Sequence, residues 1–150
     1  MNQNTFYSRI LLPVDGSETA KRARRAAADL SRMSGQPITV LSVIVDRDIM
    51  PSELMGPGKI STKDIQESRR REAQATVKAA ADALREQGLT VDEEILVGDP
   101  AQEIIQRTRE VDAPVVVIGR RGLTGFRELV MGSVSNKVVH YAECPVLVIN

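Results

Sequence analysis

The residue types best suited to chemistry lie in one stretch near the C-terminus, GRRGLTGFRELVMGSVSN, which runs from Gly119 to Asn136. Its glycines follow the spacing Gly119, two residues, Gly122, nine residues, Gly132-Ser133. Glycine lacks a Cβ, so its backbone can approach an anion closely. Gly132 and Ser133 are predicted to open a helix, whose unpaired N–H groups and dipole favour a phosphate. Glycines near a strand–helix junction are equally typical of plain turns, so spacing alone leaves both interpretations open.

Polar side chains in this stretch fit the same chemistry. Ser133 and Ser135 supply hydroxyl donors, and Arg120 and Arg121 supply positive charge. A second candidate, Asp15, follows the first apolar run. With Gly16 and Ser17 beside it, Asp15 could equally be the start of an Asx turn or a helix cap.

Five apolar runs rich in Val, Ile and Leu are predicted to be the strands that position these residues. They are RILLPVD (9–15), ITVLSVIV (38–45), TVDEEILV (90–97), APVVVIG (113–119) and PVLVIN (145–150). The second and fourth are apolar nearly throughout, as expected for parallel strands covered on both faces. The third is half charged, which indicates a more exposed position.

Helical patterns fill the gaps between the runs. Gly35 is placed to end the first helix, Ser61 with Asp64 resembles a capping box for the second, and Asp99-Pro100 is predicted to cap the third. The order βαβαβαβαβ predicts one α/β domain over residues 1–150, with a parallel sheet, right-handed crossovers and helices on both faces. Residues 46–60 show no period, and a connection of that length is typical of a functional or a mobile loop.

Composition argues against several classes of protein. Lys+Arg and Asp+Glu are both 20, so there is no cationic surplus for non-specific nucleic-acid binding, and two Phe, two Tyr and no Trp offer few stacking surfaces. Cys144 is the only cysteine, so no disulfide forms within the chain, and the lone His140 is not expected to bind a metal. No run suggests a signal peptide or membrane insertion, which makes a cytoplasmic location the expectation.

Three other classes of α/β protein lack their defining motifs. The dinucleotide fingerprint G-x-G-x-x-G is absent after the first run, and so is the P-loop G-x-x-x-x-G-K-[ST]. A receiver domain would need an acidic cluster after the first strand, which is missing, although Asp99 lies at the phosphoacceptor position. A dimeric interaction module without nucleotide remains an alternative. No catalytic constellation is visible, so hydrolysis of a bound nucleotide is expected to be slow or absent, although weak hydrolysis stays open.

Taken together, these segments resemble the universal stress protein family, and the resemblance covers essentially the whole chain. It rests on the glycine spacing and on ILLPVDGSETA (10–20), VLSVIVD (40–46), VGDPAQEII (97–105) and CPVLVIN (144–150). It implies a three-layer, Rossmann-like fold of the adenine nucleotide alpha hydrolase-like type, with a five-stranded parallel sheet and four helices. It also implies ATP binding, with Mg²⁺ carried on the phosphates, and a homodimer formed through the last strand. The role is that of a nucleotide-dependent stress-response module acting on an unknown partner protein.

The resemblance also implies roles for individual residues. Asp15 is expected near the ribose, and the backbone of Pro13, Val14 and Val43 around the adenine. The phosphates are expected to lie among the residues of the glycine signature, namely Gly119, Gly122, Gly132, Ser133, Val134 and Ser135. Many members carry Ser-His or Ser-Arg where this chain has Arg120-Arg121, and this pair is expected to retain anion contact.

Overall fold

The computed structural model describes residues 5–45, 62–120 and 132–150. These residues form five strands and four helices that alternate along the chain: β1 (Arg9–Pro13), α1 (Glu18–Ser34), β2 (Ile38–Val45), α2 (Thr62–Arg85), β3 (Val91–Gly98), α3 (Pro100–Glu110), β4 (Pro114–Gly119), α4 (Ser133–Tyr141) and β5 (Val146–Ile149). The predicted order is therefore confirmed. Four earlier predictions, the loop 46–60, Ser61, Arg121 and Gly122, lie outside the described residues.

Local capping explains where two of the helices begin and where one ends. The Ser17 hydroxyl accepts a hydrogen bond from the Ala20 N–H at 3.1 Å and so caps α1. α1 ends at Gly35, whose positive φ of 75° suits a residue without a Cβ. Asp99 caps α3 through the Gln102 N–H at 3.0 Å, with Pro100 in the first helical position. The predictions for Gly35 and Asp99-Pro100 are confirmed.

The sheet is parallel throughout, in the order β3-β2-β1-β4-β5. From β1 the chain moves outward through β2 to β3, then crosses back past β1 to β4 and continues outward to β5, so the strand order reverses between β1 and β4. The half-charged β3 lies at an edge and the apolar β2 and β4 lie inside, as their compositions predict. The expectation of a Rossmann-like α/β fold is confirmed.

Alternate residues of each central strand enter separate cores on the two faces of the sheet. Ile10 and Leu12 of β1 pack beneath α1 and α2, in a core that includes Ala23 and Val77. Leu11 points to the other face and lies in the core of α3 and α4. The chain therefore has three layers, and the carboxyl ends of all the strands meet at one edge. Among the described residues, no helix combines the length and apolar character needed to cross a membrane.

Candidate functional site

A gap opens at the carboxyl edge of the sheet because β1 stops before its neighbours. Pro13 is the last β1 residue and pairs with Leu41, whereas β2 continues to Val45. On the other side, the pairing of β1 with β4 ends at Val116, and β4 continues to Gly119. The gap therefore lies where the strand order reverses, which is the usual ligand position in open α/β sheets.

Backbone polar groups face this gap from both sides. The Val14 N–H donates to the Leu41 carbonyl at 2.8 Å, which shows that odd-numbered residues of β2 point their N–H and C=O groups toward β1. Because these directions alternate along a strand, Val43 presents both groups to the gap. On β4, Val116 and Arg120 donate to β5 carbonyls, so Gly119 faces the gap. A planar polar ligand between the strands would meet donors and acceptors already in place.

The gap is the floor of a cleft of about 670 Å³. This volume lies within the range of small-molecule sites. Much of the wall is apolar and comes from both sides of the gap: Val14, Leu41, Ala101, Ile104, Ile118 and Val134. All of the predicted site residues that the structure describes line the cleft except Arg120; they are Pro13, Val14, Asp15, Val43, Gly119, Gly132, Ser133, Val134 and Ser135.

Asp15 lies at the rim of the cleft and also forms an Asx turn. Its Oδ1 accepts a hydrogen bond from the Ser17 N–H at 3.0 Å, and Gly16 between them has a φ of 81°. The two interpretations of Asp15 are therefore compatible, because the turn holds an exposed carboxylate against the cleft.

Three helices begin beside the cleft, but their first turns differ. α1 and α3 are capped by the side chains of Ser17 and Asp99, and α3 also has Pro100, which carries no N–H. The N-cap of α4 is Gly132, and no side chain of the described residues caps this helix. The first N–H groups of α4 therefore keep their capacity for an anion. Of the three helices, α4 is the one best suited to a phosphate.

Ser135 is buried beneath this first turn. Its hydroxyl donates to the Arg120 carbonyl at 2.7 Å and lies 3.1 Å from the Gly132 carbonyl. The Gly132 N–H donates to the same Arg120 carbonyl at 2.8 Å. The single hydroxyl hydrogen is thus used inside the protein, where it ties the end of β4 to the start of α4. This differs from the expectation that Ser135 donates to a phosphate, whereas Ser133 is exposed at the cleft.

The Arg120 side chain is directed elsewhere. Its Nη1 lies 3.3 Å from Asn150 Oδ1, and its backbone N–H bonds the Ile149 carbonyl. Arg120 is not among the residues that line the cleft, and these two contacts join it to the end of β5 and to the residue that follows.

Gly119 is required by packing as well as by its position at the cleft. A Cβ on Gly119 would lie 2.8 Å from the Thr19 carbonyl carbon and 2.9 Å from its oxygen. Both atoms belong to the backbone of α1, so no side-chain rotation relieves the contact. The absence of a Cβ lets the first turn of α1 approach β4.

Sequence reasoning missed Ser42, Lys137 and the start of α3, all of which line the cleft. Lys137 follows Ser133 by four residues, a spacing that puts both on one helix face and could have revealed it. The start of α3 follows a strand end and so obeys the same rule as the other loops. Ser42 gave no signal, because one serine in an apolar strand does not show where its hydroxyl points.

His140 and Cys144 each contact a neighbouring residue of the protein. His140 Nδ1 lies 3.0 Å from the Asn136 carbonyl, near the end of α4. Burial raises the pKa of the Cys144 thiol, and a hydrogen bond with Thr108 opposes that rise. Within residues 5–45, 62–120 and 132–150, no three His, Cys, Asp or Glu side chains are grouped to hold a metal ion.

Comparison with known proteins agrees with this geometry. The chain is 32% identical over 151 residues to universal stress protein Sll1388 of Synechocystis, covering 95% of this chain and 97% of that protein. It superposes on the structure of MJ0577 from Methanocaldococcus jannaschii with a TM-score of 0.82 at 27% identity, covering 97% and 96% of the two chains. It also matches the universal stress protein from Archaeoglobus fulgidus solved in complex with dAMP, with a TM-score of 0.70, 30% identity and coverage of 97% and 100%.

The family model of the universal stress protein family matches residues 6–150. Both the structural comparison and the family model cover nearly the whole chain. The chain therefore belongs to the universal stress protein family.

Proposed function

We propose that this chain binds ATP in the cleft and uses the bound nucleotide as a signal in a stress response. The observation that carries the proposal is the uncapped start of α4 at one end of a cleft whose floor presents the backbone groups of Val43 and Gly119. The complex of the Archaeoglobus relative with dAMP supports an adenine nucleotide as the ligand.

The phosphates belong at α4. Gly132 leaves room for an oxygen, and the N–H groups of Ser133 and Val134 donate to it. The Ser133 hydroxyl adds a donor, and Lys137, one turn further on, adds charge. Ser135 positions this turn through its bond to the Arg120 carbonyl. Gly122 of the glycine signature and the neighbouring Arg121 belong to the same proposal through the family resemblance alone.

The adenosine belongs at the opposite end. Pro13 and Val14 form the floor there, and Val43 offers an N–H donor and a C=O acceptor side by side, a pair that suits the edge of adenine. The Asp15 carboxylate accepts hydrogen bonds and repels phosphate, so it favours the ribose hydroxyls. This separation of charge along the cleft sets the direction of the nucleotide.

Hydrolysis is proposed to be slow or absent. No His lines the cleft in the described part of the chain, and Asp15, which follows β1 rather than β4, is assigned to the ribose in this proposal. Mg²⁺ is proposed to accompany the phosphates, since this ion keeps several waters and needs few protein ligands. Rapid phosphate release by highly purified protein would contradict this part of the proposal and make the chain an ATPase.

The signalling role requires a surface that another protein reads. We propose a cytoplasmic homodimer of one-domain chains (residues 1–150) joined through β5, with the nucleotide changing how a partner protein is bound. If the purified chain dimerises but takes up no nucleotide, it is instead an interaction module.

The decisive experiment is an ATP titration by calorimetry of the wild type and of Gly132→Val. Gly132 has φ −57° and ψ 153°, values that valine adopts without strain, so the variant should fold. The valine side chain would occupy the phosphate position, and the ATP affinity should fall at least about tenfold, a change of about 1.4 kcal/mol.

Gly35→Ala serves as the matched control. Gly35 ends α1, it is absent from the cleft lining, and its φ is 75°. This variant should lose stability, by about 1 kcal/mol, because alanine disfavours positive φ, yet it should bind ATP like the wild type. Equal ATP affinities for the wild type and Gly132→Val would show that the phosphate site lies elsewhere.

A further inference from the structure

Ser42 is a buried residue of the cleft wall that carries a hydroxyl group. It lies in β2 between Leu41 and Val43, is 8% exposed and contributes to the cleft wall. None of the hydrogen bonds among the described residues involves its hydroxyl, and no fully inaccessible side-chain oxygen in that part of the chain lacks a partner. The Ser42 oxygen therefore retains some accessible surface although the residue as a whole is buried.

The other buried hydroxyls behave differently. Seven Ser and Thr residues are buried among those described, and the six others take part in hydrogen bonds within the protein. These six are Ser17, Ser31, Ser34, Thr39, Thr108 and Ser135. Buried polar groups are nearly always paired because an unpaired one is costly. The Ser42 hydroxyl is the exception among these seven, and it belongs to a residue of the cleft wall, where a bound ligand can supply a partner.

The register of the sheet places Ser42 in the adenosine half of the cleft. Pro13 pairs with Leu41, so the next residues, Val14 and Ser42, lie side by side where β1 leaves the sheet. Ser42 directly precedes Val43, and Val14 directly precedes Asp15. The start of α4 stands on the other side of the gap, beyond β4.

We propose that the Ser42 hydroxyl forms a hydrogen bond with the nucleoside part of the nucleotide and is a specificity-determining residue. This inference rests on the proposed nucleotide site. The bond is to the ribose or to the base, and both have donors and acceptors that a hydroxyl can satisfy.

The test compares the wild type with Ser42→Ala in calorimetric titrations with ATP and with AMP. Both affinities should fall by the same factor, about 3- to 10-fold, as expected for one hydrogen bond. Unchanged affinities would overturn the inference. A loss seen with ATP but not with AMP would also overturn it, because it would move the contact to the outer phosphates.

Thermal unfolding of the nucleotide-free protein separates binding from structure. Ser42→Ala should unfold at the wild-type temperature or slightly above, since it removes a hydroxyl with no partner inside the protein. Ser31→Ala is the matched control: the Ser31 hydroxyl donates to the Gln36 carbonyl at 2.7 Å, and Ser31 is absent from the cleft lining. This control should unfold at a lower temperature and bind both nucleotides normally. A lowered unfolding temperature for Ser42→Ala with normal affinities would show a structural role.

A third ligand, 2′-deoxy-ATP, assigns the partner atom. If the effect of Ser42→Ala disappears with this ligand, the hydroxyl bonds the ribose 2′ oxygen; if it persists, the bond is to the remainder of the nucleoside. Wild-type protein that binds neither ATP nor AMP would contradict the proposed function itself. That outcome differs from wild-type binding that Ser42→Ala leaves unchanged.

Discussion

Residues at the cleft divide into those that face a ligand and those that hold others in place. Gly132 and Ser133 stand at the uncapped start of α4, whereas Ser135 uses its hydroxyl to join that start to β4. Asp15 does both, because its carboxylate forms the Asx turn and stays at the rim. A residue type alone does not reveal this division; the neighbouring carbonyls do.

Lys137→Ala tests the phosphate end at the scale of one residue. Lys137 is exposed, so its removal should change stability little. We expect the affinity for ATP to fall about 3- to 10-fold, as for a charge-assisted contact, and that for AMP to fall less, because a side chain near the outer phosphates has nothing to reach in AMP. Calorimetry with both nucleotides measures the difference. Lys137→Arg should retain most of the ATP affinity, and equal losses with the two nucleotides would contradict a contact to the outer phosphates.

The cleft exists because neighbouring strands end at different positions along the sheet. β1 stops at Pro13 while β2 and β4 continue, and α1 fits closely over the end of β4 because Gly119 has no side chain. The start of α1 carries Ser17, and the turn before it carries Asp15. The contact between α1 and β4 therefore sets both the sheet packing and the adenosine end of the cleft.

Gly119→Ala tests this contact between elements. The added methyl would meet the Thr19 backbone at 2.8 Å, so α1 must shift or the strand must distort. We expect a loss of about 1–3 kcal/mol in the free energy of unfolding, as for other overpacked sites, measured by urea denaturation. Ser133→Ala is a control in the same region, since Ser133 is exposed and should cost much less. Unchanged stability of Gly119→Ala would show that the start of α1 yields freely.

At the scale of the whole molecule, β5 leaves a sheet edge uncovered by any described strand. Val116 and Arg120 donate to the carbonyls of Pro145 and Ile149, so the backbone groups of odd-numbered β5 residues face β4, and the N–H and C=O of Val148 face away from it. Tyr141 is 65% exposed and Leu147 43% exposed in the same region. An apolar strand with free backbone groups is a typical pairing surface, which supports the proposed dimer.

Val148→Pro tests the proposed dimer. Proline removes the outward N–H while leaving the hydrogen bonds to β4 intact, so the variant should be monomeric in light scattering where the wild type is dimeric. Val148→Ala loses side-chain volume but keeps the N–H, and it should remain a dimer. A dimeric Val148→Pro would show that the chains do not join through this edge, and a monomeric wild type would remove the dimer itself.

The sequence by itself determined the order of elements, the helices on both faces of the sheet and the more exposed position of β3, because the spacing of apolar residues and the placement of charges both reflect burial. It also determined the caps Gly35 and Asp99-Pro100, since those choices depend on residues a few positions apart. Only the tertiary structure decided that Arg120 points to Asn150, that Ser135 is used internally, and that Ser42 and the start of α3 reach the cleft. Those outcomes depend on strand register and on where β1 stops, which bring together groups far apart in the chain. The local sequence around each of these residues does not indicate which distant residues it will contact.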